Sequence, residues 1–383
     1  VKTVKYSAAL AAVAAGSLLL TSCSNSGNGD SGADATSSFD LSGTTGELQG
    51  EGASSQQKAM EQFGVAYQSA VPGASLSYNA TGSGAGQKQF IAGQVDFGGS
   101  DSPLKDNQIA DAAKRCGGND AWHLPLVVGP VAVAFHIDGI DELNLSVDTV
   151  AKIFKGEITN WNDPAIAAEN EGVDLPDLPV SVLYRAEESG TSDNFQDFLK
   201  TATDGYWDTE GKTFPTKVGS GAQGSSGVAD QVKATNGAVT YVESGYADAA
   251  GLGIAALDFG AGPVELNTES VNKALADVSF TGKGNDLIVD SDALFASKEA
   301  GAYPLALTTY EIVCSDGYDE ETTSRVKDFL HTILDNQNDA LEESGYVPLS
   351  GTFRDKLVTA VDAIGGSDSG DASDASDAAD ATE

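Results

Sequence analysis

Apolar positions along residues 46 to 364 switch repeatedly between a helical and a continuous pattern. Between Gln56 and Ala70 they fall at Ala59, Phe63, Ala66, Tyr67 and Ala70, one face of a helix. Ser146 stands as N-cap before a stripe of Val150, Ile153 and Phe154 that Gly156 ends. Thr323 to Leu341 carries Val326, Phe329, Leu330, Ile333 and Leu334 at three-four spacing, and Leu357, Val358, Val361 and Ile364 form a last stripe ended by Gly365. Between these lie "VVGPVAVAF", "PVSVLY", "AVTYVE" and "ALTTYEIVC", which are apolar almost throughout. Strands of that kind belong to a sheet covered on both faces, and their alternation with helices predicts an α/β fold.

Both ends of the chain depart from this pattern. At the start, Lys2 and Lys5 precede an uncharged run from Tyr6 to Ser22, the layout of a signal peptide rather than a membrane span. The run closes on Leu-Thr-Ser-Cys, which resembles a bacterial lipobox, and that resemblance implies export, cleavage before Cys23 and a lipid on its thiol. Residues 23–45 then read as a disordered tether, since "SNSGNGDSGADATSS" has no large apolar side chain. At the other end, from 363 to 383, an acid recurs at every third position from Asp368 to Glu383, a period that fits no helical face and predicts a disordered acidic tail.

With 383 residues the chain is too long for one core, so two domains are expected. Acidic side chains number 57 against 21 basic ones, a formal charge of −36, which excludes a nucleic-acid partner for want of a basic patch. Cys116 and Cys314, in an exported chain, point to a disulfide, with two buried thiols as the alternative. His123, His136 and His331 lack metal-ligand spacing, so neither a metal nor another cofactor is expected.

The chemistry concentrates where hydroxyl- and glycine-rich turns run into helical patterns. Ser54 and Ser55 do so in "GEGASSQQKAM", Ser83 in "YNATGSGAGQKQF", and Ser189, Gly190 and Thr191 in "RAEESGTSDNF". A helix start exposes unpaired N–H groups at the positive end of its dipole. Each turn alone is explained by ordinary capping; three of them with Arg185 can converge on one small oxyanion. A phosphate-ester hydrolase is the rival reading, but there is no Gly-x-Ser-x-Gly elbow, and none of the three turns holds a histidine to act as base.

"GSGAGQKQFIAGQVDFGGSDSPL", "VAKIFKGEITNWNDPAI" and "RAEESGTSDNF" together resemble the PstS-type phosphate-binding proteins that serve high-affinity phosphate ABC importers, and the resemblance runs from about residue 46 to 362. It implies a type II periplasmic-binding-protein fold, two α/β lobes joined by two crossover strands with the ligand cleft between them. The lobes would be residues 46–130 with 304–362, and residues 131–303. It further implies a non-enzymatic monomer that takes inorganic phosphate outside the cell membrane, delivers it to a membrane permease and is held there by its lipid anchor. Carried over by motif, the contacts would be Ser54, the Ser55 backbone, Ser83, Asp101, Arg185, Ser189, Gly190 and Thr191, with Glu187 bracing Arg185.

Three departures stand out: Ala-Ser-Ser-Gln replaces Ala-Thr-Phe-Pro in the first turn, Gly-Ser-Gly-Ala-Gly replaces Gly-Ser-Ser-Gly-Gly in the second, and Glu187 replaces an aspartate. By itself Asp101 in "GGSDSP" reads as a turn former. In the family pattern it accepts a hydrogen bond from a protonated phosphate oxygen, which sulfate or molybdate does not offer at neutral pH.

Overall fold

The computed structural model describes residues 37–215 and 217–366. The signal peptide, Cys23, most of the tether and the acidic repeat lie outside the described residues.

A nine-stranded mixed sheet forms the frame. Its main path runs Ala74–Asn79, Gly46–Gly52, Phe97–Ser100, Ala306–Cys314, Ala121–His136, Ala238–Glu243, Ser181–Arg185 and Ser220–Ala222. The long strand Ala121–His136 belongs to both halves. Up to Pro130 it pairs antiparallel with Ala306–Cys314, and from Val131 it pairs antiparallel with Ala238–Glu243. Ala306–Cys314 and Ala238–Glu243 are buried at every position, as their unbroken apolar runs predict.

Gly46–Gly52 carries too many glycines to read as a strand, and the packing explains them. A Cβ at Gly50 would stand 2.3 Å from the Phe97 ring, and one at Gly52 would stand 1.9 Å from the Gly99 carbonyl oxygen. Only bare backbone lets these neighbours come so close.

Two helices follow the sequence reading closely. Val147–Lys155 is capped by the Ser146 hydroxyl and stopped by a left-handed Gly156, and Gly351–Asp362 is followed by Gly365 at φ 73°. The stripe expected from Thr323 to Leu341 divides instead into Glu320–Asp335 and Asp339–Glu343. Asn338 causes the second start: its side chain accepts from the Ala340 and Leu341 N–H groups and replaces the continuing helix ladder.

The last part of the expected tether is fixed in place. Ser37 and Ser38 donate to the Asp335 carboxylate, Ser42 donates to Asp328, and the Phe39 ring stacks on His331 with centroids 4.3 Å apart. Those side chains lie on Glu320–Asp335, so residues 37–45 are ordered by partners nearly three hundred positions away, with Phe39 and Leu41 packed against the core. Phe39 and Leu41 are the local signal that this part is not tether.

Cys116 and Cys314 form a disulfide, which resolves the alternative left open by composition. Within residues 131–303, one stretch reaches the other half of the sheet. Asp286 accepts from the His123 N–H, the Leu287 N–H donates to the His123 carbonyl, and the Val289 N–H donates to the Tyr310 hydroxyl. The following short helix, Ser291–Phe295, sets Phe295 against Phe198 with rings 5.7 Å apart.

Candidate functional site

Four helix starts meet around one arginine. They belong to Gln57–Ala70, Ser83–Ile91, Gly190–Ala202 and Gly224–Lys233, and Arg185 reaches them from the end of Ser181–Arg185. Its guanidinium is buried, and all of its nitrogens are engaged. Nη2 donates to Ser54 Oγ at 2.6 Å, while Nη1 donates to Thr191 Oγ1 and Ser225 Oγ, each at 3.1 Å. Nε donates to Glu187 Oε1 at 2.6 Å, and Nη2 also reaches that oxygen. Burial alone would loosen the Arg185 proton, but Glu187 and Glu243 outweigh it and hold the group charged. Glu187 is itself fixed by the Gly224 N–H, so its brace extends into the fourth helix start.

Asp101 faces the same cluster from the other side. Ser55 Oγ donates to Oδ1 at 2.5 Å, Thr309 Oγ1 donates to the same oxygen at 2.8 Å, and Ser83 Oγ donates to Oδ2 at 3.1 Å. Burial, then the charge of Glu243, pushes the carboxyl up to about 6, against the pull of the Ser55 and Thr309 hydroxyls and Arg185. The group is thus an acceptor kept out of water and supplied only by hydroxyls. Those hydroxyls can turn elsewhere.

Ser83 ties the two sides together, since its Oγ also accepts from the Asp101 and Gly190 N–H groups at 3.1 and 3.2 Å. Ser189 does what ordinary capping requires: its Oγ accepts from the Ser192 N–H, which leaves its own proton to donate. Thr191 is more constrained. Its one hydroxyl proton goes to Glu243 Oε1 at 2.6 Å, so only its backbone N–H, free of any intrahelical acceptor at the second helical position, can point a proton into the cluster.

All eight proposed contact residues are therefore gathered in one buried region, with Glu187 behind Arg185. Sequence reasoning missed Ser225, Thr309 and Glu243. Ser225 had a signal, because "GSSGVADQV" repeats the glycine-hydroxyl turn before a helix. Thr309 and Glu243 sit in strands whose composition says core, and only topology turns them toward Arg185 and Asp101.

No histidine stands within hydrogen-bond reach of these hydroxyls; His123 pairs with Asp286 and His331 with Asp362. Among the described residues no cluster of metal-ligating side chains occurs. The arrangement offers a fixed positive charge, helix-start N–H groups and buried carboxylates. Such groups can together hold a small oxyanion, and the carboxylates can accept from one that carries a proton.

Comparison with known proteins agrees with that chemistry. The PBP superfamily domain matches residues 37–336. The chain is similar to the phosphate-binding protein PstS 2 of Mycobacterium tuberculosis, 43% identical over 95% of this chain and 100% of that one. It is likewise similar to phosphate-binding protein PstS 3 of Mycobacterium leprae, 42% identical over 94% and 99%. Among solved structures, a high-affinity periplasmic phosphate-binding protein, PfluDING, bound with phosphate, shares the fold at a TM-score of 0.65 and 23% identity, covering 82% of this chain and 93% of that one. A cluster of helix starts around a buried arginine on a periplasmic-binding-protein frame and relatives matched along nearly their whole length lead to one assignment: the chain belongs to the PstS family of phosphate-binding proteins.

Proposed function

We propose that this protein captures inorganic phosphate outside the cytoplasmic membrane and passes it to the permease of a phosphate ABC importer, without catalysing a reaction. The observation that carries the reading is the pairing of buried Arg185 with buried Asp101 across one set of hydroxyls. Arg185 matches the bare phosphate oxygens, and Asp101 matches a protonated one. The Ser55, Ser83 and Thr191 N–H groups, the Gly190 N–H once Ser83 Oγ releases it, and the Ser54, Ser55, Ser83 and Ser189 hydroxyls serve the remaining edges. The names of the mycobacterial relatives, which are phosphate-binding proteins, support the same ligand.

Cys23 carries the lipid that holds the protein at the outer face of the membrane, a reading that rests on the lipobox-like Leu-Thr-Ser-Cys. The ligand cleft lies between residues 46–130 with 304–362 on one side and residues 131–303 on the other. Calorimetric titration with phosphate, sulfate, molybdate and a phosphate ester tests the proposal. Tight binding of phosphate alone is expected. Turnover of the ester, or a preference for sulfate or molybdate, overturns it.

A further inference from the structure

Three tyrosines close on the turn that opens the helix Gln57–Ala70. The Tyr78 hydroxyl donates to the Ala53 carbonyl at 2.8 Å, the Tyr246 hydroxyl to the Ser54 carbonyl at 2.8 Å, and the Tyr346 hydroxyl to the Ser55 carbonyl at 2.7 Å. Three successive carbonyls are thus each held from a different element: Tyr78 lies on Ala74–Asn79, Tyr246 on the helix Ser244–Ala250, and Tyr346 on the loop between Asp339–Glu343 and Gly351–Asp362. Burial pushes all three hydroxyls up from their ordinary value, so they stay protonated and remain donors.

Each carbonyl shares a rigid, trans peptide plane with the N–H of the next residue, and the two point in opposite directions. Hydroxyls on the Ala53, Ser54 and Ser55 carbonyls therefore fix the aim of the Ser54, Ser55 and Gln56 N–H groups. Those three residues are buried, and none of the three N–H groups meets an acceptor among the described residues. Successive buried N–H groups without a partner suit an anion, whereas a packed core avoids them.

Little in the turn itself makes it rigid. Ser55 and Gln56 stand where the family pattern has Phe-Pro, so neither an aromatic wall nor a fixed proline φ holds it. Gln56 instead sends Nε2 to the Tyr78 hydroxyl at 3.0 Å, and a Cβ on Gly99 would stand 2.3 Å from that hydroxyl. Lys58 lies 4.5 Å from the centroid of the Tyr246 ring and donates to the Gly245 carbonyl at 2.7 Å, which seats the helix Ser244–Ala250 on the turn.

We infer that Tyr246, with Tyr78 and Tyr346 on the flanking peptide planes, is the positioning residue that aims the Ser55 N–H at the ligand. The inference rests on the phosphate reading above and deepens it. The one hydroxyl proton of Tyr246 goes to the Ser54 carbonyl, so the residue acts through the plane it holds and not on the ligand. Tyr246 belongs to residues 131–303 and Ser55 to residues 46–130, so a donor on one side of the cleft is aligned by the other side.

The test is titration of purified Tyr→Phe variants with inorganic phosphate at fixed pH and salt. Tyr246→Phe should raise the dissociation constant about three- to tenfold, the equivalent of one buried hydrogen bond, through faster dissociation. Tyr303 makes the same bond elsewhere, its hydroxyl donating to the Val131 carbonyl at 2.8 Å from an equally buried position. Tyr303→Phe should therefore cost stability but change the dissociation constant by less than about twofold.

Amide exchange followed by NMR separates aim from stability. In wild type, phosphate should slow exchange of the Ser55 N–H at least about tenfold. In phosphate-bound Tyr246→Phe that protection should drop, while amides of the strand Ala121–His136 change no more than in Tyr303→Phe. A Ser55 amide indifferent to phosphate overturns the inference even without a folded variant. Wild-type affinity in Tyr246→Phe, or an equal loss in Tyr303→Phe, overturns it as well and leaves phosphate capture intact. A wild type that binds no phosphate at all removes both readings.

Discussion

The Gly190 N–H donates to Ser83 Oγ at 3.2 Å, and a Cβ placed on Gly190 would stand 2.4 Å from that same oxygen and 2.5 Å from Asp101 Cβ. The helix Gly190–Ala202 and the helix Ser83–Ile91 thus meet start to start, with no room between them for a methyl group. Gly190→Ala suits the helix itself, because alanine favours helical backbone. The clash is confined to the contact across the site. Phosphate affinity should fall at least about tenfold, and the ligand-free protein should lose about 1–3 kcal/mol of stability from the overpacked contact. Titration and thermal unfolding on one preparation separate the two effects; unchanged affinity would mean that the two helix starts do not close on the ligand.

Arg185→Ala should weaken phosphate binding by several kcal/mol, since hydrogen bonds to charged groups are worth about 1.5–3 kcal/mol each. Arg185→Lys should not restore it, because a single ammonium cannot span Ser54 on one side and Thr191 with Ser225 on the other. Both variants also leave the Glu187 carboxylate, buried beside Arg185, short of its partner, so a lower unfolding midpoint is expected alongside the lost affinity. A folded Arg185→Ala protein with wild-type affinity would remove this residue from the site.

Asp101→Asn addresses selectivity. Sulfate has the shape of phosphate but no proton, so it sets oxygen against the Asp101 carboxylate. Sites built around a substrate O–H reject analogues that lack it by roughly 10⁴ to 10⁵. The asparagine side chain can turn an N–H toward sulfate, and most of that discrimination should disappear. Competing titrations at fixed pH and salt give the ratio directly. Sulfate binding to wild type within about tenfold of phosphate would end this role for Asp101.

The same carboxyl makes the ligand-free protein sensitive to pH. Its folded value of about 6 lies above the unfolded 3.8, so the native state binds the proton more tightly. Its contribution to stability is therefore complete below pH 3.8 and is lost as pH rises through 6. Asp197 shifts in the same direction, for burial and the nearby Asp193 charge, so the informative quantity is the difference between wild type and Asp101→Asn. Urea unfolding without phosphate should show the variant gaining on wild type by about 2 kcal/mol between pH 4 and 7. A constant difference across that range would mean that Asp101 titrates at its ordinary value.

The disulfide is expected to act on stability alone. It joins residues separated by 198 positions, Cys116 just after the helix Asp106–Arg115 and Cys314 at the end of its strand, with no contact to Arg185 or Asp101. Replacing both by serine should cost about 2–5 kcal/mol of unfolding free energy and shift phosphate affinity by less than about twofold. Denaturant unfolding and titration of the double variant measure both.

What was legible in the sequence follows from where each signal is stored. The strands with unbroken apolar runs, the Ser146 cap and the Gly156 stop are local, and the chain folds as they read. Gly46–Gly52 was not legible, because its glycines answer to Phe97 and Gly99, residues that reach it only after the sheet has formed. The site divides in the same way. Ser54, Ser83 and Ser189 are helix-start residues and announce themselves, and Ser225, which was missed, carries the same signal. Thr309 and Glu243 are polar atoms inside buried strands, and what distinguishes them from satisfied core residues is the position of a carboxylate or a threonine from a distant element.

The stretch containing Asp286, Leu287 and Val289 is pinned to His123 and Tyr310, and a few residues later Phe295 rests on the helix that Gly190 begins. This short run therefore straps the helix Gly190–Ala202 to the half of the sheet that carries His123 and Tyr310, by contacts that involve neither Arg185 nor Asp101. Trimming the Asp286 side chain that clasps His123 should loosen that strap while leaving the hydroxyls around Arg185 in place.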